Sequence, residues 1–463
     1  MSDTPTNTFI KGPLRVIYAK TALPIIFVMG MNGLLTVADA LFLGHYVGPR
    51  ALAAVTLMFP IYMLIVALAT LVSSGMSSLL ARHLGGNRLP QARAVFAGAH
   101  GLALAVGAAL ILLFLLVGPT VTNLAAGGSQ DLAQMGLVYL RITVFFSPLL
   151  FVLSVNSDTL RNEGRIGFMA AMSLLVSLAN IGFNYVLIAW LDMGVAGSAY
   201  GTAMAQALGF AIIVAFRFQS TTELRLSALL HHNLTHSWSR ILALGAPQSL
   251  SFIGLALGSA AIMAALQMVN TPTYESTVSA YGIITRVITF GYLPLLGLSF
   301  AMQTITGNNY GAGQWQRSNS SLKIAVVVAL IYCAIVQLLM TVFAGHIGRA
   351  FVDDPVVVAE VARILPVMVT VLFATGPLMM IAAYFQAIGD AGRAALLSLS
   401  KPYLFAIPLT FVLATTIGEI GIWAAGPAAE LMLLALTTAV LARAAQRGLL
   451  RWGIFHITAK EKS

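Results

Sequence analysis

Apolar residues fall along this chain in stretches long enough to cross a lipid bilayer, which takes roughly 20 mostly apolar residues. Such windows lie near 21–44, 55–79, 94–118, 132–158, 166–190 and 195–217, and again near 240–268, 278–304, 321–345, 359–388, 395–415 and 421–444. The pattern predicts an all-α integral membrane protein of twelve transmembrane helices in two six-helix bundles. Lys11, Arg15 and Lys20 precede the first window as they would in a signal peptide. The stretch from Thr21 to Leu43, however, is long enough to span and lacks a small-residue cleavage site, so it reads as the first helix.

The two sets of six repeat each other. Pro24 and Pro247 stand 223 residues apart, Gly85 of HLGG and Gly311 of NYGAG 226, Gly164 and Gly392, each followed by arginine, 228, and Gly197 of GVAG and Gly421 of GEIG 224. A nearly constant offset at four places marks a duplicated unit. Six crossings return the chain to its starting side, so the copies run in parallel orientation. The expected organisation is an N-terminal lobe over 1–218 holding the ion-coupling cavity, a cytoplasmic linker over 219–239, and a C-terminal lobe over 240–463. His231, His232 and His236 in the linker have no nearby carboxylate or cysteine, so no metal site is expected.

Composition excludes a soluble protein: 59% of the 463 residues are hydrophobic and 9% charged, with a mean hydropathy of +0.90. The net charge of +10 does not point to nucleic acid, because the basic residues are spaced singly between apolar stretches. Taken loop by loop, 20 of the 25 basic residues fall on the side of the termini, among them Arg161, Arg217, Arg393, Lys401, Arg447, Lys460 and Lys462. Both termini are therefore expected in the cytoplasm, and the protein in the inner (cytoplasmic) membrane. The single cysteine, Cys333, sits in an apolar run without a partner for a disulfide or thiolate metal site.

An ionisable side chain in mid-membrane marks a functional site by default. Asp39, inside the first window with no basic residue within two helical turns, is the clearest. Asn32, Thr36 and Asp39 share one helix face, and Pro24 upstream permits a bend. A protonatable carboxylate on such a stripe is what a cation-coupled carrier needs. Ser173, Ser177, Asn180 and Asn184 follow helical spacing in span five, and Ser198, Thr202 and Gln206 in span six; such stripes either join helices or line a wet cavity, and with Asp39 in the same half the cavity is preferred. Tyr139 adds a polar-tipped aromatic. The second half is apolar where the first has Asp39, but contains Arg286, Gln267, Gln303, Gln386 and Glu430, the last a weaker coupling candidate; Asp158 reads as interfacial. Nucleotide loops, metal-ligand motifs and nucleophile constellations do not stand out, so no catalytic residue, metal or cofactor is expected, and transport would draw on an ion gradient.

The chain resembles the multidrug and toxic compound extrusion (MATE) transporters over residues 15–445. The likeness rests on LPIIFVMGMNGLLTVADALFLGHYVGPRALAAV, RHLGGN, LRNEGR, NIGFNYVLI, GVAGSAYGTAMAQ, SAYGIITRV, NNYGAG and AIGDAGR in order. The resemblance implies a V-shaped pair of six-helix bundles exporting bulky, often cationic drugs by antiport with H+ or Na+. It is most similar to the DinF-like branch, which implies an N-lobe cavity lined by Asp39, Tyr139, Asn180, Asn184 and Thr202, with Asp39 as the ion site. That branch usually has aspartate at the position of Asn184, so one carboxylate stands where two would. Asn32, Thr36, Ser177, Gln206 and Arg286 complete the expected substrate cavity, and Asp39, Asn180 and Asn184 the coupling site. Expected partners are small-molecule drugs or toxic cations and membrane lipid, with no nucleic acid, and the chain is expected to act as a monomer. A lipid-linked precursor flippase of the related superfamily is the alternative; it calls for a strongly cationic cavity, toward which only Arg286 points.

Overall fold

The computed structural model describes residues 7–127, 129–219, 222–269, 274–446 and 450–456. The first half contains α1 (Leu14–Phe42), α2 (Pro49–Gly85), α3 (Leu89–Ala125), α4 (Gln130–Phe145), α5 (Ser147–Asn162), α6 (Ile166–Asn184), α7 (Gly194–Gln219) and the short α8 (Ala228–His231). The second contains α9 (Trp238–Val269), α10 (Tyr274–Gly311), α11 (Trp315–Val342), α12 (Ala344–Phe351), α13 (Pro355–Met368), α14 (Leu372–Ile388), α15 (Ala391–Leu399), α16 (Ile407–Ile417) and α17 (Glu419–Gln446), then a two-stranded hairpin pairing Leu450–Arg451 with Phe455–His456. π-Helical turns continue α1 over Leu43–Val47 and α6 over Tyr185–Trp190, and join α15 to α16 over Ser400–Ala406.

Among the described residues, ten helical stretches are long and apolar enough to cross a membrane, and twelve if α4 with α5, bent by 47°, and α13 with α14, bent by 49°, each count as one. Several of the sequence windows are shorter than the helices they predict, those on α2 and α3 most of all. The 37 residues of α2 and of α3 would rise roughly 55 Å at ~1.5 Å per residue, well beyond a hydrocarbon layer about 30 Å thick. Their polar ends therefore escape a hydropathy window. Pro24 lies within α1, which runs on past it.

The duplication is visible in the turns. α2 ends at Gly85 and α10 at Gly311, and the left-handed Gly194 and Gly418 stand at the starts of α7 and α17. One sequence pairing is corrected. The structural match of Gly164 is Gly389, because both have positive φ (77° and 92°) between two helices, whereas Gly392 lies in the first turn of α15.

The chain divides into two compact units, one built of Leu23–Ser249 and the other of Phe9–Ala22 with Leu250–Ser463. Helices α1 and α9 each begin in one unit and end in the other. In the first unit, α2 and α9 meet backbone to backbone: a Cβ on Gly75 would strike the carbonyl of Ile241, and one on Gly245 the carbonyl of Leu71. Small residues allow this approach, and Ser74 Oγ donates to Gln248 Oε1 at 2.7 Å beside it. In the second unit, the Tyr18 hydroxyl donates to the Ser321 carbonyl at 2.9 Å and Asn309 Nδ2 to the Phe9 carbonyl at 3.1 Å. Its core includes Trp423, stacked obliquely near Tyr281 at 5.7 Å.

Three basic residues assigned to loops from the sequence lie elsewhere. Arg161 is buried, pairing with Asp158 at 2.9 Å and donating to Ser77 Oγ at 3.1 Å. Arg217 is buried over the Phe96 ring and donates to Asn156 Oδ1 at 3.0 Å, the Leu224 carbonyl at 2.7 Å and Glu163 Oε2 at 3.3 Å. Burial pushes the Glu163 carboxyl up, and the Arg217 guanidinium opposes that rise. Lys401 lies in the π-helical stretch between α15 and α16 and pairs with Glu430. Each has its counter-charge, which is why burial is tolerated. Arg447, Lys460 and Lys462 lie outside the described residues.

Candidate functional site

Helix α6 carries Asn180 and Asn184 four residues apart and therefore on one face. Both are buried, at 1% and 0% exposure. The Asn184 amide donates to Asp39 Oδ1 at 2.6 Å and to Asn180 Oδ1 at 3.2 Å. Asn180 Nδ2 donates to Thr202 Oγ1 at 2.9 Å, and the Thr202 hydroxyl to the Ser198 carbonyl at 3.2 Å. A chain of hydrogen bonds thus runs from the α7 backbone through α6 to the carboxylate on α1, with Asp39 accepting at its end.

The direction of the chain follows from donor arithmetic. A primary amide has two N–H donors, and Asn184 uses one on Asp39 and one on Asn180. Its own Oδ1 is buried without a partner. That oxygen points at Gly201, where a Cβ would strike the Asn184 side chain, so the glycine makes room for the amide. Ion pairs found among the described residues involve no basic group with Asp39. The carboxylate, half-buried in the first unit, is held by a neutral donor.

The other expected residues divide. Tyr139 on α4 is half-buried and within electrostatic reach of Asp39. Ser177 is buried but bonds its own helix at the Ser173 carbonyl, 3.0 Å away, so it lies on the same face without joining the chain. Gln206 is half-buried one turn beyond Thr202, and Asn32 is exposed. The side chain of Thr36 lies outside the described residues. Arg286 is exposed on α10 in the other unit. Sequence reasoning missed Tyr62 on α2, which also feels the Asp39 charge; a lone polar-tipped aromatic in an apolar span was the available signal, the same one that marked Tyr139. It missed Gly201 as well, because close approach to an amide leaves no trace in a pattern of polar positions. Glu430 was singled out, its partner Lys401 was not.

A profile of the family described as MatE matches residues 24–186 and 247–412, the two matches beginning at Pro24 and Pro247. The chain is 22% identical over 395 residues to a Bacillus subtilis protein called probable multidrug resistance protein YoeA, with 83% of this chain and 84% of that one covered. It is 25% identical over 439 residues to a Shewanella oneidensis protein called FAD transporter, covering 92% and 93%. Among solved structures, the MATE multidrug transporter DinF-BH superposes with a TM-score of 0.82 at 26% identity, over 92% of this chain and 95% of that one.

Proposed function

Because the chain belongs to the MatE family of membrane transporters, we propose that it is a secondary multidrug exporter, moving bulky, often cationic compounds out across the inner membrane in exchange for H+ or Na+ at Asp39. The observation that carries the reading is the hydrogen bond to Asp39 from the neutral Asn184 amide, with no basic partner for the carboxylate among the described residues. A carboxylate so held is free to take up a cation, whereas one locked to arginine or lysine is not. The likeness to YoeA and to DinF-BH supports the cargo class. The distribution of basic residues supports cytoplasmic termini.

The exchange follows from the directed chain. As a carboxylate, Asp39 accepts from Asn184. Once protonated it carries an O–H that needs an acceptor, and the unpartnered Asn184 Oδ1 is at hand. Turning the amide to meet it withdraws the donor from Asn180 and loosens the link to Thr202. Na+ acts in the same way, drawing the amide oxygen toward the carboxylate. Ion and substrate then favour different arrangements of α6 and α7, which is all that mutual exclusion requires.

In proteoliposomes, Asp39→Asn should cut efflux of a cationic dye driven by a pH gradient by about tenfold or more, the scale of a coupling of about 1.4 kcal/mol. Full transport by that variant would overturn the reading. A sodium gradient imposed alone on the same liposomes decides the ion. The likeness to an FAD transporter favours a second reading, in which the cargo is an anionic dinucleotide; competition between FAD and the dye separates the two.

A further inference from the structure

The C-terminal unit holds an ion pair in mid-span that the exchange at Asp39 does not use. Lys401 lies ten residues beyond the start of Ala391–Ile417 and Glu430 eleven beyond the start of α17, so each is roughly 15 Å along a helix rising ~1.5 Å per residue. The two helices are consecutive and antiparallel, so these counts run from opposite ends and meet near the middle of a layer about 30 Å thick. The scaffold does not demand charge there. Counted from the matched turn glycines, Gly164 with Gly389 and Gly194 with Gly418, the corresponding positions of the other unit are Val176 and Gln206.

Exposure is unevenly divided. The Glu430 side chain is 4% exposed and that of Lys401 34%. Glu430 is sealed inside the unit, with Tyr292 of α10 and Cys333 of α11 as electrostatic neighbours. An ammonium is costly against hydrocarbon, so a ligand site here requires that the open third of Lys401 give on to water. Of its three N–H donors, one is taken by Glu430, and among the described residues no second acceptor is bonded to it.

We propose that Lys401, held charged and aimed by Glu430, is a recognition site for the carboxylate of a zwitterionic cargo. The pair is neutral as it stands, so a bare anion would leave net negative charge in apolar surroundings, which is costly. A zwitterion brings its own counter-charge, and its carboxylate takes the free ammonium donors without that penalty. The inference rests on the reading of the chain as an exporter and adds a cargo class at a site separate from Asp39.

The test is equilibrium binding, by fluorescence polarisation on purified full-length protein, of rhodamine B, a zwitterion with a free carboxylate, and of rhodamine B ethyl ester, the same dye with the carboxylate blocked. Wild type should bind rhodamine B about tenfold more tightly, equivalent to about 1.4 kcal/mol. Lys401→Gln with Glu430→Gln, which removes both charges together, should bring the ratio to one while leaving ester binding unchanged. Lys401→Glu with Glu430→Lys should reverse it. A wild type indifferent to the two dyes overturns the proposal without recourse to any variant, as does a preference for rhodamine B that survives either double substitution. Asp39→Asn should leave the ratio untouched, so loss of ion-driven transport with the preference intact counts against the exchange alone, and transport without the preference against this site alone.

Discussion

The two units share helix order, turn glycines and spacing, and both pair acids with bases, the first through Asp158 with Arg161 and Glu163 with Arg217, yet the first also keeps one carboxylate away from any such pair. In the first, Asp39 has an amide for a partner. In the second, Glu430 is paired with Lys401, and Glu360 and Glu419 share Arg363, with Glu419 also accepting from Trp423 Nε1 at 3.0 Å. A carboxylate against a cation is a structural element: neutralising it strands the opposite charge. A carboxylate against an amide is a switch, because adding a proton or a cation strands nothing and rearranges only donors. Duplication supplied the frame, and in the proposed exchange it is the neutral neighbour of Asp39 that leaves this acid open to a cation.

Substituting the acid by its amide in each unit breaks this comparison most directly. Glu430→Gln leaves the Lys401 ammonium unpaired and should lower stability by about 3 kcal/mol, the lower end for a broken buried pair because Lys401 is partly wet; thermal unfolding in detergent measures it. Asp39→Asn should change the same unfolding temperature little while abolishing ion-driven transport. Equal losses of stability in the two variants would erase the distinction. Next in size, Gly201→Ala forces a methyl into the Asn184 amide and should cost about 1–3 kcal/mol as an overpacked contact, with dye efflux falling alongside. Thr202→Val removes the acceptor for Asn180 and should cost about 1 kcal/mol, read as weaker ion dependence of dye binding. Smallest of all, Ser177→Ala deletes a hydroxyl that bonds only its own helix and should stay within about 0.5 kcal/mol with transport unchanged; a large effect would place Ser177 in the chain after all.

The ten to twelve candidate crossings among the described residues were legible because each is an apolar run about as long as the bilayer is thick, and the repeat because glycines at helix turns keep their spacing. The bends were harder to read. Pro148 follows the break at Phe146, but a proline near a helix start and one that bends a span look alike in sequence. Arg161, Arg217 and Lys401 were misplaced. The window over α5 stops at Asp158 and so leaves out Arg161, its partner on the same helix, while Arg217 at the end of one window and Lys401 inside another were counted with the nearest loop because their partners, Glu163 in a turn and Glu430 on another helix, are remote in sequence. Lys401 and Glu430 are 29 residues apart in sequence. At the candidate site, Asp39, Asn180, Asn184 and Thr202 were found by helical spacing and by family likeness. Their partners were not, since spacing gives the face of one helix and not the direction of a bond to the next.

That direction has an evolutionary consequence. Both N–H donors of Asn184 and the Thr202 hydroxyl are committed, and one acceptor, Asn184 Oδ1, is left over. No member of the series is independently replaceable: an aspartate in place of Asn184 withdraws two donors at once, and an aspartate in place of Asn180 obliges the Thr202 hydroxyl to turn away from the Ser198 carbonyl. If the exchange runs through Asp39 as proposed, lineages that alter its ion should change these positions in concert, with Gly201 the slowest to move, since any larger residue there must first find the Asn184 amide gone.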